Sequence, residues 1–432
     1  MATETKIHPA NALRGRLILP GDKSISHRAA MFASIAEGRT RIENFLTAED
    51  CLSTIECMRQ LGVPIEREGT TVEIEGVGKH GLRAPLTPLD CGNSGTTARL
   101  ITGLLAGQNF ETTLIGDDSL SKRPMRRVTE PLKALGASIS TTDGKLPVKI
   151  TGSQLAGKEL RLEVASAQVK SCLLLAGLYA EGRTTVIEPV ETRDHTERMF
   201  RWLGADITIE PAKDSRRITV DGASSLTARD ISVPADISSA AFLLVAAACL
   251  KRSYLELPNV GLNPTRIGIL DVLERCGAPV RIDAQREDSG EPVGDLICEG
   301  GIGGHGLSLI NGPIIPNVID EIPILAVLGT QLPNGLEIRD AGELRVKETD
   351  RIAAVVEGLW RMKIDVDEFD DGFRVHPGQP QGAVIESFGD HRIAMAFAVA
   401  GLFAEGETTI RGHEACEISF PGFFDALDSV VT

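Results

Sequence analysis

Lys23, Ser24 and Arg28 sit in the stretch Pro20-Gly21-Asp22-Lys23-Ser24-Ile25-Ser26-His27-Arg28, where a turn pair and a capping aspartate lead into an apolar run ending at Gly38. A helix N-terminus leaves N–H groups unpaired and pointing outward, so this order sets two cations and a hydroxyl where an anion is already favoured. The arrangement recurs along the chain. Asn93, Ser94 and Gly95 open one apolar run, Ser166 and Gln168 another, Asp236 and Ser238 a third. Asp320 and Glu321 precede a fourth, and Asp390, His391 and Arg392 a fifth. Gly92 and Gly95 admit a ligand close to the backbone. Neither Gly-rich stretch has the spacing of a P-loop or a dinucleotide fingerprint.

A second cationic set lies outside these runs, in Lys122-Arg123-Pro124-Met125-Arg126-Arg127, Arg193-Asp194-His195-Thr196-Glu197-Arg198 and Lys347-Glu348-Thr349-Asp350-Arg351. Arginine grips phosphate or carboxylate through two parallel N–H bonds, which a lone lysine cannot do. Each cluster taken singly also reads as a solvated face; their recurrence at equivalent points favours anion binding. Glu348 would carry a proton only in a desolvated site.

The elements that must position these groups repeat six times, at intervals of about 70–85 residues. Each repeat opens with a helix lacking a polar side, as in Ala241-Phe242-Leu243-Leu244-Val245-Ala246-Ala247-Ala248, and such a helix is buried all round. An amphipathic second helix and several strands follow. The expected architecture is α/β (α+β): two domains, each of three repeats, with parallel buried helices wrapped by β-sheet. Residues 21–232 form one domain, and residues 1–20 with 233–432 the other. Leu17-Ile18-Leu19 is expected to be extended, in a segment 7–19 that needs a sheet to join. The hinge falls at 20–21 and 231–234, and the anion site in the cleft between the domains.

Composition narrows the partners. The net charge of −15 repels nucleic acid and anionic membranes, so any bound anion needs locally concentrated cations. An aromatic share of 4% disfavours base-stacking platforms. The eight cysteines are scattered without metal-ligand spacing, which reads as reduced thiols of a cytoplasmic protein. No apolar run reaches the ~20 residues of a membrane span, and the first residues lack the apolar core of a signal peptide.

Gly21-Asp22-Lys23-Ser24-Ile25-Ser26-His27-Arg28, Gly92-Asn93-Ser94-Gly95-Thr96-Thr97-Ala98-Arg99-Leu100, Lys122-Arg123-Pro124-Met125, Lys347-Glu348-Thr349-Asp350-Arg351 and Asp390-His391-Arg392-Ile393-Ala394-Met395 closely resemble the motifs of the 5-enolpyruvylshikimate-3-phosphate synthase family, almost end to end. The resemblance implies a transferase of the shikimate pathway to aromatic amino acids. It would move the enolpyruvyl group of phosphoenolpyruvate to the 5-hydroxyl of 3-phosphoshikimate by addition and elimination, releasing phosphate. It implies that Ser24, Arg28, Ser166, Ala167, Gln168, Arg193, Asp320 and Lys347 hold 3-phosphoshikimate. Asn93, Gly95, Arg123, Gln168, Arg351 and Arg392 would hold phosphoenolpyruvate, and Lys23 would touch both substrates. Asp320 would take the hydroxyl proton, with Lys23 and Glu348 serving C3 and the leaving phosphate. No metal and no cofactor is implied, and a monomer is expected. Ala167 stands where many members have a second serine, and Cys416-Glu417-Ile418-Ser419-Phe420-Pro421 lacks the lysine some members place before Phe-Pro. The stretches around Ser166 and Arg193 look like the bacterial second class. Two other readings stay open: UDP-N-acetylglucosamine enolpyruvyltransferase, whose reactive cysteine has no counterpart in Asp117–Pro124, and a non-catalytic scaffold binding an anionic metabolite.

Overall fold

Six apolar helices set the architecture: α1 (Lys23–Ser34), α2 (Gly95–Ala106), α3 (Ala167–Gly177), α4 (Ile237–Cys249), α5 (Ile322–Gly329) and α6 (His391–Leu402). In the computed structural model, which describes residues 3–212, 215–303 and 307–432, every residue of α5 and all but the last of α4 are buried. Burying a helix on all sides leaves its first-turn N–H groups in need of partners. Asp22, Ser94, Ser166, Asp236 and Asp390 each accept a bond from a first-turn backbone N–H of the helix they precede. The start of α5 has no side-chain cap; Pro323 in its first turn removes one of the donors.

The chain divides into two units. The first comprises Gly21–Val233 with Asp288–Glu291, and the second comprises the residues before Gly21 with Pro234–Glu287 and Pro292–Thr432. The expected boundary keeps all of 233–432 in one domain, whereas Val233 and the four-residue hairpin tip Asp288–Glu291 group with the first unit. Helices α1–α3 lie in the first unit and α4–α6 in the second, so the α/β architecture of three repeats per unit is the observed one.

Among the described residues, five repeats build a four-stranded sheet in the same order and the sixth a three-stranded one. In the first, Ile231–Ser232 runs parallel to Glu37–Glu43, which pairs antiparallel with Thr71–Val77, itself antiparallel to Ile65–Glu68. The second and third repeats repeat this pattern with Leu89–Asp90 and Glu159–Arg161 as parallel edges. Each edge strand comes from the chain leaving the previous repeat, and Ile231–Ser232 returns to close the set of three. The second unit closes similarly. Glu4–Ile7 completes the sixth sheet against Thr408–Arg411, and Arg14–Arg16 then supplies the parallel edge of the fourth against Tyr254–Glu256. The N-terminal segment thus finds its sheet in the second unit, but the strand is Arg14–Arg16, not the apolar Leu17-Ile18-Leu19. A parallel edge is held by backbone bonds that need no apolar side chain, and Ile18 is left 79% exposed.

Close helix packing fixes α2 against α3. A methyl group on Gly103 would stand 2.1 Å from the carbonyl oxygen of Cys172, a backbone atom that cannot swing aside. Gly103→Ala is therefore expected to lower stability by about 1–3 kcal/mol, read as the unfolding midpoint in denaturant; an unchanged midpoint would contradict this packing.

Candidate active site

The starts of the core helices carry the candidate residues, and each unit gathers its own set. In the first unit, the Arg28 guanidinium is buried. Its Nε donates to Thr196 Oγ1 at 2.8 Å, Nη1 to the Ser24 carbonyl oxygen at 2.9 Å, and Nη2 to Ser171 Oγ at 2.8 Å. Burial pushes Arg28 down to about 10; Glu197 and Asp22 oppose that, and the nearby charge of Arg193 adds to it. Arg28 and Arg193 are thus two like charges in one neighbourhood, the arrangement an anion would relieve. The Lys23 ammonium pairs with Asp50.

A second cluster surrounds the start of α2. Gly95 faces two guanidinium groups: a Cβ there would meet Arg99 Nη1 at 3.1 Å and Arg123 Nη1 at 3.5 Å. Arg99 donates to Gln168 Oε1, and Gln168 Nε2 to Thr96 Oγ1 at 3.0 Å, so α3 is tied to the first turn of α2. Arg123 Nη2 donates to Asn93 Oδ1 at 2.6 Å. Ser24, Asn93, Arg123, Ser166, Ala167, Gln168 and Arg193 are all half-buried, placed for contact with a solute.

Behind these groups runs a buried chain of hydrogen bonds: His27 Nδ1 to Thr54 Oγ1 at 2.7 Å, Thr54 to Thr97 at 2.7 Å, and Thr97 Oγ1 to the cap Ser94 at 2.7 Å. Burial, with the charges of Lys23 and Arg28, holds His27 well below its ordinary value. The imidazole is neutral in the folded chain at pH 7.

In the second unit one network holds Asp320, Lys347, Glu348, Arg351 and Arg392. Asp320 Oδ1 lies 3.7 Å from Lys347 Nζ and 3.4 Å from Arg351 Nη1; Arg392 Nη1 donates to the Asp320 carbonyl oxygen at 2.7 Å. Arg351, 1% exposed, also grips Asp390 at 2.8 Å and Glu348 at 2.6 Å. Burial alone would lower this guanidinium, but Asp390, Glu348 and Asp320 together carry it above its usual range. Arg392 Nη1 further donates to Ser238 Oγ at 2.8 Å, and Ser238 to Glu321, so the starts of α4, α5 and α6 meet. Glu348 keeps 23% of its side chain exposed and accepts from Arg351.

These clusters carry side chains suited to two multiply charged acids. Residues 7–427 match the model of the EPSP synthase (3-phosphoshikimate 1-carboxyvinyltransferase) family. The chain belongs to the EPSP synthase family. It is 50% identical over 430 residues to the 3-phosphoshikimate 1-carboxyvinyltransferase of Solibacter usitatus (strain Ellin6076), covering 99% of both chains. It is 49% identical over 426 residues to that of Geobacillus kaustophilus (strain HTA426), covering 98% of both. EPSP synthase from Acinetobacter baumannii superposes with a TM-score of 0.87 at 43% identity, over 99% of this chain and 98% of the other. The enolpyruvyl transferase NikO from Streptomyces tendae, at 20% identity over 100% of this chain and 98% of the other, has a TM-score of 0.79 and shares the fold.

Some side chains of these clusters escaped sequence reasoning as individuals. Asp50 reads as an ordinary acidic residue in the first turn of Glu49–Gln60, and only folding brings it to Lys23. Arg99 was legible in principle: it lies four residues after Gly95, on the same helical face.

A neutral buried His27 makes stability depend on pH. The unfolded chain takes up a proton at this residue below about pH 6.5, whereas the folded chain does so only at much lower pH. Stability from this group is full above pH 6.5 and falls by up to about 1.4 kcal/mol per pH unit below it. Urea unfolding of the wild type between pH 7.5 and 5 should therefore show the steeper loss, and His27→Gln the shallower one. Parallel profiles would contradict the assignment.

Proposed function

We propose that this chain transfers the enolpyruvyl group of phosphoenolpyruvate to the 5-hydroxyl of 3-phosphoshikimate, releasing phosphate, in aromatic amino-acid biosynthesis. The observation that carries the reading is the cluster at Asp320, where a carboxylate stands among Lys347, Arg351 and Arg392 in a chain of the EPSP synthase family. A binding scaffold has no use for a base there, and a UDP-sugar enzyme would want the cysteine that Asp117–Pro124 lacks.

Arg28, Arg193, Ser24 and Ser166, with Ala167, Gln168 and Lys347, hold 3-phosphoshikimate in this reading. Arg351, Arg392, Arg123, Asn93, Gly95 and Gln168 hold phosphoenolpyruvate. Each substrate is multiply anionic, and the guanidinium groups offset a repulsion that would otherwise keep the two apart. In the addition step the hydroxyl oxygen bonds to C2 of phosphoenolpyruvate, its proton goes to Asp320, and C3 gains a proton from Lys23 or Glu348. In the elimination step the C2–O bond to phosphate breaks and C3 returns a proton to the group that supplied one, Lys23 or Glu348, which restores the double bond. Lys23 neutralises charge on the departing phosphate. Both sets of residues must reach one pair of substrates, and the chain segments at 20–21 and 231–234 are the proposed hinge. The reading includes a cytoplasmic monomer that binds neither nucleic acid nor membrane. Free cysteines, seven of eight buried, suit a reducing compartment, and no single helix among the described residues is long and apolar enough to cross a membrane.

Phosphate release from phosphoenolpyruvate, measured with 3-phosphoshikimate or UDP-N-acetylglucosamine as acceptor, tests the reading; turnover is expected only with the former. Binding without turnover would favour the scaffold instead. Asp320→Asn should lower kcat by about 10²–10⁴-fold, the usual worth of a positioned base, and intact kcat would remove Asp320 from that role. Glyphosate, an anionic mimic of phosphoenolpyruvate, is expected to inhibit competitively against it, since Gly95 leaves room between Arg99 and Arg123. Unchanged turnover at high glyphosate and low phosphoenolpyruvate would count against that assignment.

A further inference from the structure

Lys170 lies one turn inside α3, after Ser166 and Gln168, and its side chain is 0% exposed. Its ammonium has three protons and three neighbours to receive them. Nζ stands 3.0 Å from Glu188 Oε1, 2.8 Å from Glu197 Oε1 and 3.2 Å from the Thr192 carbonyl oxygen. Both carboxylates are buried as deeply. Glu188 ends the strand Arg183–Glu188 and Glu197 belongs to the helix His195–Trp202, so Lys170 holds both ends of the connection that carries Arg193. The middle is held as well: Glu188 accepts from the Thr192 backbone N–H at 2.9 Å and from the Thr192 hydroxyl.

The same frame reaches Arg28. Thr196 Oγ1, on the connection just described, accepts from Arg28 Nε and lies 2.7 Å from Ser171 Oγ, the neighbour of Lys170 in α3; Ser171 in turn accepts from Arg28 Nη2. Burial alone would lower the Lys170 ammonium, but Glu197 and Glu188 carry it above its ordinary value, so it stays a cation. A saturated cation with no exposed surface cannot itself grip a ligand. Nor is stability a sufficient reason for it, since an apolar filling of such a site is often as stable as a buried ion triad.

We propose that Lys170 is a positioning residue for phosphate recognition: through Glu188, Glu197 and Thr192 it fixes the segment that sets Arg193 and orients Arg28. This rests on the reading that those two arginines hold 3-phosphoshikimate. The frame is a template for a tetrahedral dianion, because two guanidinium groups must keep their spacing before the ligand arrives.

Removing Lys170 alone would strand two buried carboxylates, so the test uses Lys170→Met/Glu188→Gln/Glu197→Gln, which neutralises the whole triad at nearly constant volume. The expected result is a folded protein whose KM for 3-phosphoshikimate rises about tenfold or more, with kcat and the KM for phosphoenolpyruvate within twofold of wild type. Calorimetric titration with 3-phosphoshikimate should show the same loss of affinity. Glu188→Gln, which leaves Lys170 paired with Glu197, provides a milder variant if the triple one does not fold; it should raise the same KM about threefold. A folded variant with wild-type KM for 3-phosphoshikimate, or one that loses kcat and both KM values together, overturns the proposal. A wild type that turns over no 3-phosphoshikimate overturns the functional reading, whereas an active wild type with an unaffected variant overturns only the role of Lys170.

Discussion

A helix without a polar side must be buried along its length, so the only place it can carry charge is an end. Six such helices form the core of this protein, and nearly everything else follows from how their first turns are satisfied. Five are capped by an aspartate or serine at the preceding position, and Lys23, Arg28, Arg99 and Arg392 stand within about two turns of those caps. Arg351 displays the constraint most clearly. It is buried, gripped by the cap Asp390 of α6, and shares Asp320 with Lys347. The carboxylate that caps the first turn of α6 also orients the Arg351 guanidinium.

In a chain of net charge −15, cations are available to an anion only where the fold withholds them from the acidic majority. The structure does this by layering. Behind Arg28 and Arg193 lies the neutralising cluster of Lys170, Glu188 and Glu197; behind Ser94 runs the His27–Thr54–Thr97 chain. Both layers are fully buried, so they hold geometry without competing for solute. Lys23, Arg123 and Arg392, by contrast, are only partly covered, each with a polar partner such as Asp50, Asn93 or Ser238. Those partners can be exchanged for a ligand at modest cost, because one charge-assisted bond replaces another.

Much of this was legible before any coordinates. Alanine-rich runs such as 241–248 announce burial, and Asp22 and Ser94 announce where helices begin, so the six-fold repeat and the helix-start clusters could be read from local sequence. The edge strands could not be read from it. Arg14–Arg16 and Ile231–Ser232 are too short and too polar to signal a strand, and their pairing depends on where the chain returns after a whole three-helix unit. Partner choice was hidden for the same reason. Nothing local to Asp50 or Glu188 says which lysine it will meet, since Lys23 and Lys170 are brought to them by tertiary packing. The hairpin tip Asp288–Glu291 shows the limit from the other side: sequence continuity assigns it to one unit, while the buried His195–Glu291 contact, at 2.8 Å, belongs to the other.

The central claim is that the capped starts of buried helices, with their lysines and arginines, are where two phosphorylated acids bind. A crystal structure grown with 3-phosphoshikimate and glyphosate tests it most directly. The account predicts the sugar phosphate within hydrogen-bond distance of Ser166 or Arg193, and the glyphosate anion against Arg351 and Arg392. Ligands seated elsewhere, with those four side chains untouched, would contradict it.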